Sequence, residues 1–283
     1  MKKIDFIKMP GIGNDYVYID CFKNTVDDPA GLAVLMSPRR FSVGSDGLIL
    51  ICPSCVADAK MRMFNLDGSE GKMCGNGIRC VAKYVYDSGI AKKDRLTIET
   101  LSGIKTVEVF AKDGKAETLS VNMGVPELSP SKIPALFKGE RMINAPIEIG
   151  EKTYNMTAVS MGNPHAVIFL DEIDSLDLEK CGKDFENNPL FPEKVNNEFV
   201  KVIFDKTLKM RVYERGSGET LACGTGACAT VVAAVLNGIC KKDAEITVKL
   251  SGGDLFITFK SDDTVIMRGP AKTVYKGEFY IDM

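Results

Sequence analysis

The feature that most constrains this chain is an internal repeat. The segment "CGNG" begins at Cys74, and "CGTG" begins at Cys223, 149 residues further along the chain. The same spacing aligns "MRMFN" at Met61 with "MRVYE" at Met210. One constant register over so long a span indicates two copies of a single structural unit that were duplicated and fused.

The two copies share one pattern of secondary-structure signals. Short runs rich in β-branched and aromatic residues come first, which is typical of strands. The Cys-Gly-x-Gly follows, and then an apolar segment that ends at Ser88-Gly89 in the first copy and at Asn237-Gly238 in the second. Glycine at that position marks a helix end, so we predict one helix per copy, the second buried all round.

The pattern predicts an α+β fold with two pseudo-symmetric lobes from an internal duplication. Each lobe is expected to be a mostly antiparallel sheet or barrel wrapped around a central helix, with the active site in the cleft between the lobes. "VNMGVPE" near Gly124 and "IMRGPAK" near Gly269 are similar exits through Gly and Pro. We therefore expect an N-terminal lobe of residues 1–123, completed by 269–283, and a C-terminal lobe of residues 124–268.

Composition excludes several classes of partner. The net charge is −2 and the basic residues are scattered, so a nucleic-acid partner is not favoured. No apolar run reaches the length of a membrane span, and the N-terminal segment meets Pro and Gly too early for a signal peptide. We expect a cytoplasmic protein without a membrane partner, in which the nine cysteines are reduced thiols.

The repeated cysteines are candidate acid–base groups. A thiol at a helix N-terminus feels the positive end of the helix dipole, which is expected to lower its pKa. The glycines and free N–H groups of such a turn bind a carboxylate or phosphate. Each Cys-Gly-x-Gly would then supply a thiol with a low pKa beside an anion-binding turn, although a cysteine in a helix is also commonly a small buried apolar residue.

Two such thiols suit the inversion of a carbon that bears an acidic hydrogen. If the copies pack about a pseudo-twofold axis, Cys74 and Cys223 flank one ligand from opposite sides. One base then removes a proton from one face and one acid delivers a proton to the other. The helix N-termini hold the carboxylate as negative charge develops. Such a reaction requires neither a metal nor an organic cofactor.

The remaining cysteines and the single histidine give weaker signals. Cys80 and Cys228 fall inside the predicted helices, where packing is expected. "CPSC" from Cys52 to Cys55 resembles a redox or zinc motif, but no second ligand pair follows at a suitable spacing. The only histidine is His165, which argues against a His-rich metal site.

Several motifs are similar to those of one enzyme family and occur in that family's order. They are "GIGNDYV", "VGSDGLIL", "MRMFNLDGSEGKMCGNGIRC", "GNPHAVIF", "FPEKVN", "RVYERGSGETLACGTGACA" and "MRGPA". Through them the chain resembles the diaminopimelate epimerases, cofactor-independent isomerases that interconvert LL- and meso-diaminopimelate in lysine and peptidoglycan precursor synthesis. The resemblance implies a homodimer of two-lobed subunits with diaminopimelate as the small-molecule substrate.

The resemblance also implies roles for individual residues. Cys74 and Cys223 become the acid/base pair, with Cys223 accepting and Cys74 donating the proton in the LL-to-meso direction, while His165 and Glu214 tune the thiols. The implied substrate contacts are Asn14, Asn65, Gly75, Asn76, Asn163, Asn196, Glu214, Arg215, Gly224 and Thr225. Amide groups and an Arg fork suit a substrate with two ammonium and two carboxylate groups. Asn also favours turns, which is the alternative for Asn14, Asn163 and Asn196.

Three alternatives remain open from the residues alone. A relative such as a proline racemase has the same lobes and paired cysteines, but its small cyclic substrate leaves Arg215 without an obvious task. A thiol–disulfide redox protein would need oxidation of Cys74 and Cys223, whereas oxidation would abolish an epimerase. A non-catalytic amino-acid-binding module would lack turnover altogether.

Overall fold

The computed structural model describes residues 2–281. The chain forms two compact units: unit 1 is Met1–Val121 with Arg268–Met283, and unit 2 is Asn122–Met267. The lobe boundaries expected from the sequence, after residues 123 and 268, remain predictions about domain organisation.

Strands dominate both units, and four α-helices and one 3-10 helix, Pro130–Lys132, complete the regular structure of the described residues. The strands are β1 (Lys2–Gly11), β2 (Asn14–Asp20), β3 (Gly47–Cys52), β4 (Ala59–Asn65), β5 (Glu70–Gly71), β6 (Arg95–Thr100), β7 (Gly103–Lys112), β8 (Lys115–Gly124), β9 (Ala145–Ile149), β10 (Lys152–Ser160), β11 (Pro164–Phe169), β12 (Asn196–Phe204), β13 (Thr207–Glu214), β14 (Gly218–Thr220), β15 (Glu245–Leu250), β16 (Gly253–Phe259), β17 (Val265–Pro270) and β18 (Tyr275–Ile281). The helices are α1 (Pro29–Met36), α2 (Gly75–Asp87), α3 (Leu178–Glu186) and α4 (Gly224–Leu236).

Strand pairing repeats between the units. In unit 1, β1 pairs with β2, β2 with β3, β3 with β4, β4 with β6 and β6 with β7. In unit 2 the same series runs through β10, β11, β12, β13, β15 and β16. Only the second and fourth pairings of each series are parallel, so both sheets are mostly antiparallel. This topology confirms the predicted fold class.

Side-chain contacts repeat as well. The guanidinium of Arg62 in β4 pairs with Glu70 in β5, with Nε and Oε1 2.8 Å apart. The pair at the equivalent positions of unit 2, Arg211 and Glu219, has the same 2.8 Å separation. Both pairs join a long strand to the short strand that precedes the Cys-Gly-x-Gly.

A central helix is enclosed by strands in each unit, as predicted. Helix α2 packs against β1, β2, β4, β6 and β7, and α4 packs against β10, β11, β12, β15 and β16. Both helices end as the sequence indicates, at the caps Ser88 and Asn237. The expectation that α4 is buried all round is wrong for its last turn, where Val235 and Leu236 are half-buried.

Two further helices were not predicted. Helix α1 packs on β3 and β4 and covers a second core of unit 1 with Leu32, Ala33 and Met36. Helix α3 packs on β12, β13 and β14 of unit 2. Each begins with an Asp cap, Asp28 or Asp177, whose carboxylate accepts a hydrogen bond from the first turn. Within residues 2–281, no helix has the length and apolar character needed to cross a membrane.

Candidate active site

Each repeated cysteine caps the N-terminus of a central helix. Cys74 precedes α2 with φ −128° and ψ 121°, and Cys223 precedes α4 with φ −122° and ψ 111°. The N–H of Gly77 donates to Cys74 Sγ at 3.3 Å, and the N–H of Gly226 donates to Cys223 Sγ at 3.4 Å. Sulfur therefore takes the place that a Ser or Asp oxygen has in an ordinary helix cap.

The second glycine of each motif is required by packing within the protein. A Cβ on Gly77 would lie 2.6 Å from Cδ1 of Ile49, and a Cβ on Gly226 would lie 2.6 Å from Oε1 of Glu198. Both distances are too short for a real contact, so glycine allows each helix start to lie directly on a strand. The sequence pattern predicts that these glycines help to bind an anion, but the close neighbour of each is a side chain of the protein itself.

In unit 1, a hydrogen-bond chain orients Asn14 toward Cys74. The Sγ of Cys74 donates to Oδ1 of Asn14 at 3.3 Å. The Nδ2 of Asn14 donates to Oδ2 of Asp46 at 2.8 Å, and Asp46 is paired with Arg39 at 2.7 Å. Because the amide nitrogen is held by a carboxylate, the amide oxygen faces the thiol, which distinguishes Asn14 from an ordinary turn residue.

A fully buried arginine lies beneath the start of α2. Arg79 donates to the carbonyl oxygen of Gly75 at 3.1 Å and to Oδ1 of Asn76 at 2.9 Å. Its positive charge adds to that of the helix N-terminus and strengthens the attraction of an anion to this turn. Arg79 was not predicted as a site residue, although the equivalent position of the second copy is Cys228, and an Arg in a buried helix face is a detectable signal.

Asn65 lies at the end of β4, half-buried. Its Nδ2 donates to Oγ of Ser69 at 2.9 Å, within the turn that leads to β5. The equivalent position in unit 2 is Glu214, which lies at the end of β13 and accepts a hydrogen bond from Thr220 at 2.5 Å. The two residues therefore occupy matching strand ends and are both held by a hydroxyl group.

In unit 2, an imidazole, a carboxylate and a thiol form a buried cluster. One ligand atom each from His165, Glu198 and Cys223 lies within 4.8 Å of the others. His165 Nδ1 is 2.7 Å from Glu198 Oε1, and Nε2 is 3.1 Å from Oδ1 of Asn163. Nitrogen, oxygen and sulfur donors of this kind can bind zinc. Here the imidazole and the carboxylate are hydrogen bonded to each other, an arrangement that suits proton transfer near the thiol.

Glu198 is a second candidate functional residue that was not predicted from the sequence. It lies in β12 and is fully buried, and its Oε2 has no hydrogen-bond partner among the described residues. Burial raises the pKa of Glu198, although the charge of His165 opposes this. The equivalent residue of unit 1 is Ile49, which contacts Gly77 as Glu198 contacts Gly226. Burying a carboxylate costs free energy, and the other copy has an isoleucine at this position. The carboxylate therefore indicates a functional requirement.

The expectation that the helix N-terminus lowers the thiol pKa is wrong for Cys223. Burial raises the pKa of Cys223 well above its ordinary value, and the negative charges of Glu214 and Glu198 raise it further. Hydrogen bonds from Thr225 and the Gly226 N–H act in the opposite direction but are weaker. Desolvation and two nearby carboxylates therefore outweigh the hydrogen bonds that the helix start provides.

Asn196 connects two strand ends in unit 2. Its Nδ2 donates to the carbonyl oxygen of Pro164 at 2.8 Å, and its Oδ1 accepts from the backbone N–H of Arg215 at 2.9 Å. The side chain of Arg215 donates to the carbonyl oxygen of Glu193 at 3.0 Å. Asn196 therefore fixes the segment from which Arg215 extends.

The structure places the expected site residues in two groups, one in each unit. Unit 1 contains Asn14, Asn65, Cys74, Gly75 and Asn76. Unit 2 contains Asn163, His165, Asn196, Glu214, Arg215, Cys223, Gly224 and Thr225. Arg79 and Glu198 extend the two groups.

Comparison with known proteins gives a consistent family. The family model described as diaminopimelate epimerase matches residues 6–129 and 157–274. A diaminopimelate epimerase from Acetivibrio thermocellus is 54% identical over 274 residues, covering 96% of this chain and 97% of that protein. One from Desulfovibrio desulfuricans is 53% identical over 283 residues, covering 98% of each. One from Methanococcus maripaludis is 50% identical over 277 residues, covering 98% of this chain and 99% of that protein.

Solved structures of lower sequence identity share the fold. A phenazine biosynthesis protein of the PhzF family from Bacillus anthracis has a TM-score of 0.72 at 17% identity, covering 99% of this chain and 100% of that one. A probable proline racemase from Agrobacterium radiobacter, with bound carbonate, has a TM-score of 0.71 at 15% identity, covering 99% and 93%. At these identities the likeness concerns the fold alone.

Proposed function

Because the chain belongs to the diaminopimelate epimerase family, we propose that it interconverts LL-2,6-diaminopimelate and meso-diaminopimelate for lysine and peptidoglycan precursor synthesis. The reaction uses two bases, one thiolate and one thiol, and no cofactor. The observation that carries this proposal is the matched pair of N-cap thiols, Cys74 and Cys223, at equivalent positions of two duplicated units. The reaction requires that both sulfur atoms reach the same substrate carbon.

In the LL-to-meso direction, the thiolate of Cys223 accepts the proton from the substrate carbon. The thiol of Cys74 delivers its proton to the opposite face of the same carbon. The enzyme is left with a protonated Cys223 and a Cys74 thiolate, so protons must be redistributed before the next turnover in this direction. Because its pKa is raised, the thiolate of Cys223, once formed, is a strong base.

Substrate binding provides a reason for Cys223 to lose its proton. The charges of Glu214 and Glu198 oppose the thiolate in the free protein. An ammonium group of the substrate that binds beside Glu214 reduces this repulsion, so the strong base forms when the substrate is present. His165 and Glu198 share a buried hydrogen bond of 2.7 Å. A proton that moves along this bond changes the charge near the thiol.

The two helix starts stabilise the negative charge that develops on the reacting amino-acid group. The backbone N–H groups of Gly75 and Asn76, and those of Gly224 and Thr225, are the proposed carboxylate-binding turns. The buried guanidinium of Arg79 supports the first of them. These groups act most strongly on the carbanion intermediate, because its charge is delocalised onto the carboxylate.

The polar residues outside the helix starts are proposed to recognise the substrate's ammonium and carboxylate groups. Amide oxygens of Asn14, Asn65, Asn163 and Asn196 can accept from ammonium groups, and the fork of Arg215 can hold a carboxylate through two hydrogen bonds. We also propose that the protein acts in the cytoplasm as a homodimer, as the sequence resemblance implies. Light scattering of the purified protein tests the dimer.

Solvent-isotope incorporation tests the reaction. The reduced, metal-free protein, without pyridoxal phosphate, is incubated with LL-diaminopimelate in deuterium oxide. We expect the meso product with deuterium at the inverted carbon. The variant Cys181→Ala, which changes a half-buried thiol in α3, should behave as the unmodified protein.

Other outcomes separate the alternatives. Racemisation of proline but not of diaminopimelate would identify a proline racemase-like activity. Binding of diaminopimelate without any deuterium incorporation would identify a non-catalytic module. Activity that appears only after oxidation of the thiols would identify a redox protein.

A further inference from the structure

Cys52 has a different neighbour from the one that its CxxC motif suggests. Its side chain lies beside that of Cys21, a residue 31 positions earlier in the chain, and the two thiols influence each other's pKa. Cys55, the second cysteine of the motif, is exposed. Both Cys21 and Cys52 are free thiols and half-buried. A small reagent can therefore reach a pair of adjacent thiols.

The backbone holds these two residues side by side. Strands β2 and β3 are parallel, and Asp20 lies opposite Ile51 at the end of the pairing. The N–H of Cys21 continues the ladder by donating to the carbonyl oxygen of Ile51 at 2.9 Å. Neighbouring strands lie about 4.8 Å apart, and disulfides span Cα separations of roughly 4.4–6.8 Å. The next register pair, Cys21 and Cys52, is therefore suitably placed for a disulfide.

The two side chains lie on the same face of the sheet, at the edge of a core. Residues two positions apart on a strand share a face, so Cys52 is on the same face as Leu50, and Cys21 is on the same face as Ile19. Leu50 and Ile19 belong to the core that α1 covers, and both cysteines pack against this core. The pair thus combines a fixed position with access from solvent.

Positively charged side chains on the adjacent strand favour the thiolate form of Cys52 over that of Cys21. Lys60 lies directly opposite Cys52, and Arg62 is two residues further along β4. The neighbouring Cys21 thiol, followed by the charges of Arg62 and Lys60, holds the pKa of Cys52 below its ordinary value, although burial and Glu70 oppose this. The neighbouring Cys52 thiol, with burial and the charge of Asp20, raises the pKa of Cys21. Cys52, which lies beside two positive side chains, is therefore the better nucleophile, and Cys21 keeps its proton.

The pair is remote from the thiol of the same unit that the proposed function uses. Asn14, which contacts Cys74, begins β2, and Cys21 follows the last residue of that strand. Seven residues of strand at about 3.3 Å each separate Asn14 and Cys21 by roughly 23 Å. Chemistry at Cys21 and Cys52 is thus separate from chemistry at Cys74.

We propose that Cys21 and Cys52 are a thiol–disulfide exchange site for low-molecular-weight disulfides of the glutathione type. The Cys52 thiolate attacks one sulfur of the disulfide, forming a mixed disulfide and releasing one small thiolate, which takes a proton from solvent. Cys21 then loses its proton to solvent and attacks the Cys52 sulfur, releasing the second small thiolate. The two cysteine thiols are oxidised by two electrons, and the small disulfide is reduced to two thiols.

The test uses the full-length reduced protein and oxidised glutathione, with peptide mass spectrometry as the readout. We expect a Cys21–Cys52 disulfide to form at least tenfold faster than any adduct at Cys181. Cys181 is an internal control, because it is also half-buried but burial raises its pKa. In Cys21→Ser, the mixed disulfide should accumulate at Cys52, since the resolving thiol is absent. In Cys55→Ser, the Cys21–Cys52 disulfide should form as before.

Three results would overturn the proposal. The first is a Cys52–Cys55 disulfide in place of Cys21–Cys52, which would restore the CxxC interpretation. The second is reaction at Cys52 no faster than at Cys181. The third is a Cys52→Ser variant that accumulates the glutathione adduct on Cys21 as fast as Cys21→Ser accumulates it on Cys52. Circular dichroism of each variant before oxidation confirms that it is folded.

Discussion

Replacing Glu198 by Gln removes a buried charge beside Cys223 while keeping nearly the same shape. The carboxylate lies at most 4.8 Å from the thiol sulfur. With an effective dielectric constant of about 20, two unit charges at that distance repel by about 3.5 kcal/mol. The adjacent His165 shares the 2.7 Å hydrogen bond and offsets part of this charge. We therefore expect the variant to lower the pKa of Cys223 and to raise its thiolate-to-thiol ratio at fixed pH between about tenfold and about 300-fold.

The assay is an NMR titration of protein labelled with ¹³C at the cysteine Cβ. The Cys223 signal is assigned by its loss in Cys223→Ala. The matched control is Glu186→Gln, which changes another buried carboxylate of unit 2. Glu186 accepts from the Gly216 N–H at 2.9 Å, and it is absent from the charges that act on Cys223. In this control variant, the Cys223 thiol should titrate at the same pH as in the unmodified protein.

A Cys223 titration in Glu198→Gln that is unchanged, or displaced to higher pH, would refute this reasoning. It would mean that the carboxylate carries no net charge where the thiol can sense it.

Two further predictions concern stability. Gly226→Ala forces a Cβ toward Glu198, where only 2.6 Å is available, so the free energy of unfolding in urea should fall by roughly 1–3 kcal/mol; an unchanged midpoint would show that the helix can move away without cost. Burial opposes ionisation of Asp15, but its ion pairs with Arg39 and Lys8 prevail and lower its pKa. The carboxylate therefore contributes stability at pH values above about 4, which is lost as pH falls through the lowered pKa. Asp15→Asn should be less stable than the unmodified protein at pH 7, and the difference should shrink as pH falls through the lowered pKa; a difference that stays constant with pH would contradict this cause.

The sequence was sufficient for the features that depend on local signals or on the repeat. The Cys-Gly-x-Gly marks both helix starts because a capping side chain and an unhindered glycine act within one turn. The constant register then predicts two equivalent units. Helix α1 escaped prediction because its eight residues are almost uniformly apolar and show no helical periodicity.

The features that could not be predicted arise from pairing between distant segments. Glu198 and Glu214 precede Cys223 by 25 and 9 residues and approach it only through the packing of β12 on α4 and the pairing of β13 with β12. Their charges and the burial of the sulfur raise the pKa of Cys223, whereas the helix start predicts a lowered pKa. Cys52 likewise meets Cys21 through the parallel pairing of β2 with β3, which the CxxC spacing does not reveal.

The most direct test of the two-base proposal measures hydrogen exchange in single-cysteine variants, with LL- and meso-diaminopimelate supplied separately in deuterium oxide. Neither Cys74→Ala nor Cys223→Ala should invert the substrate carbon. Cys74→Ala should still exchange the α-hydrogen of the LL isomer through Cys223, and Cys223→Ala should exchange only the α-hydrogen at the inverted centre of the meso isomer through Cys74. Full epimerisation by either variant, or exchange of the same isomer by both, would contradict the assignment of one thiol to each face.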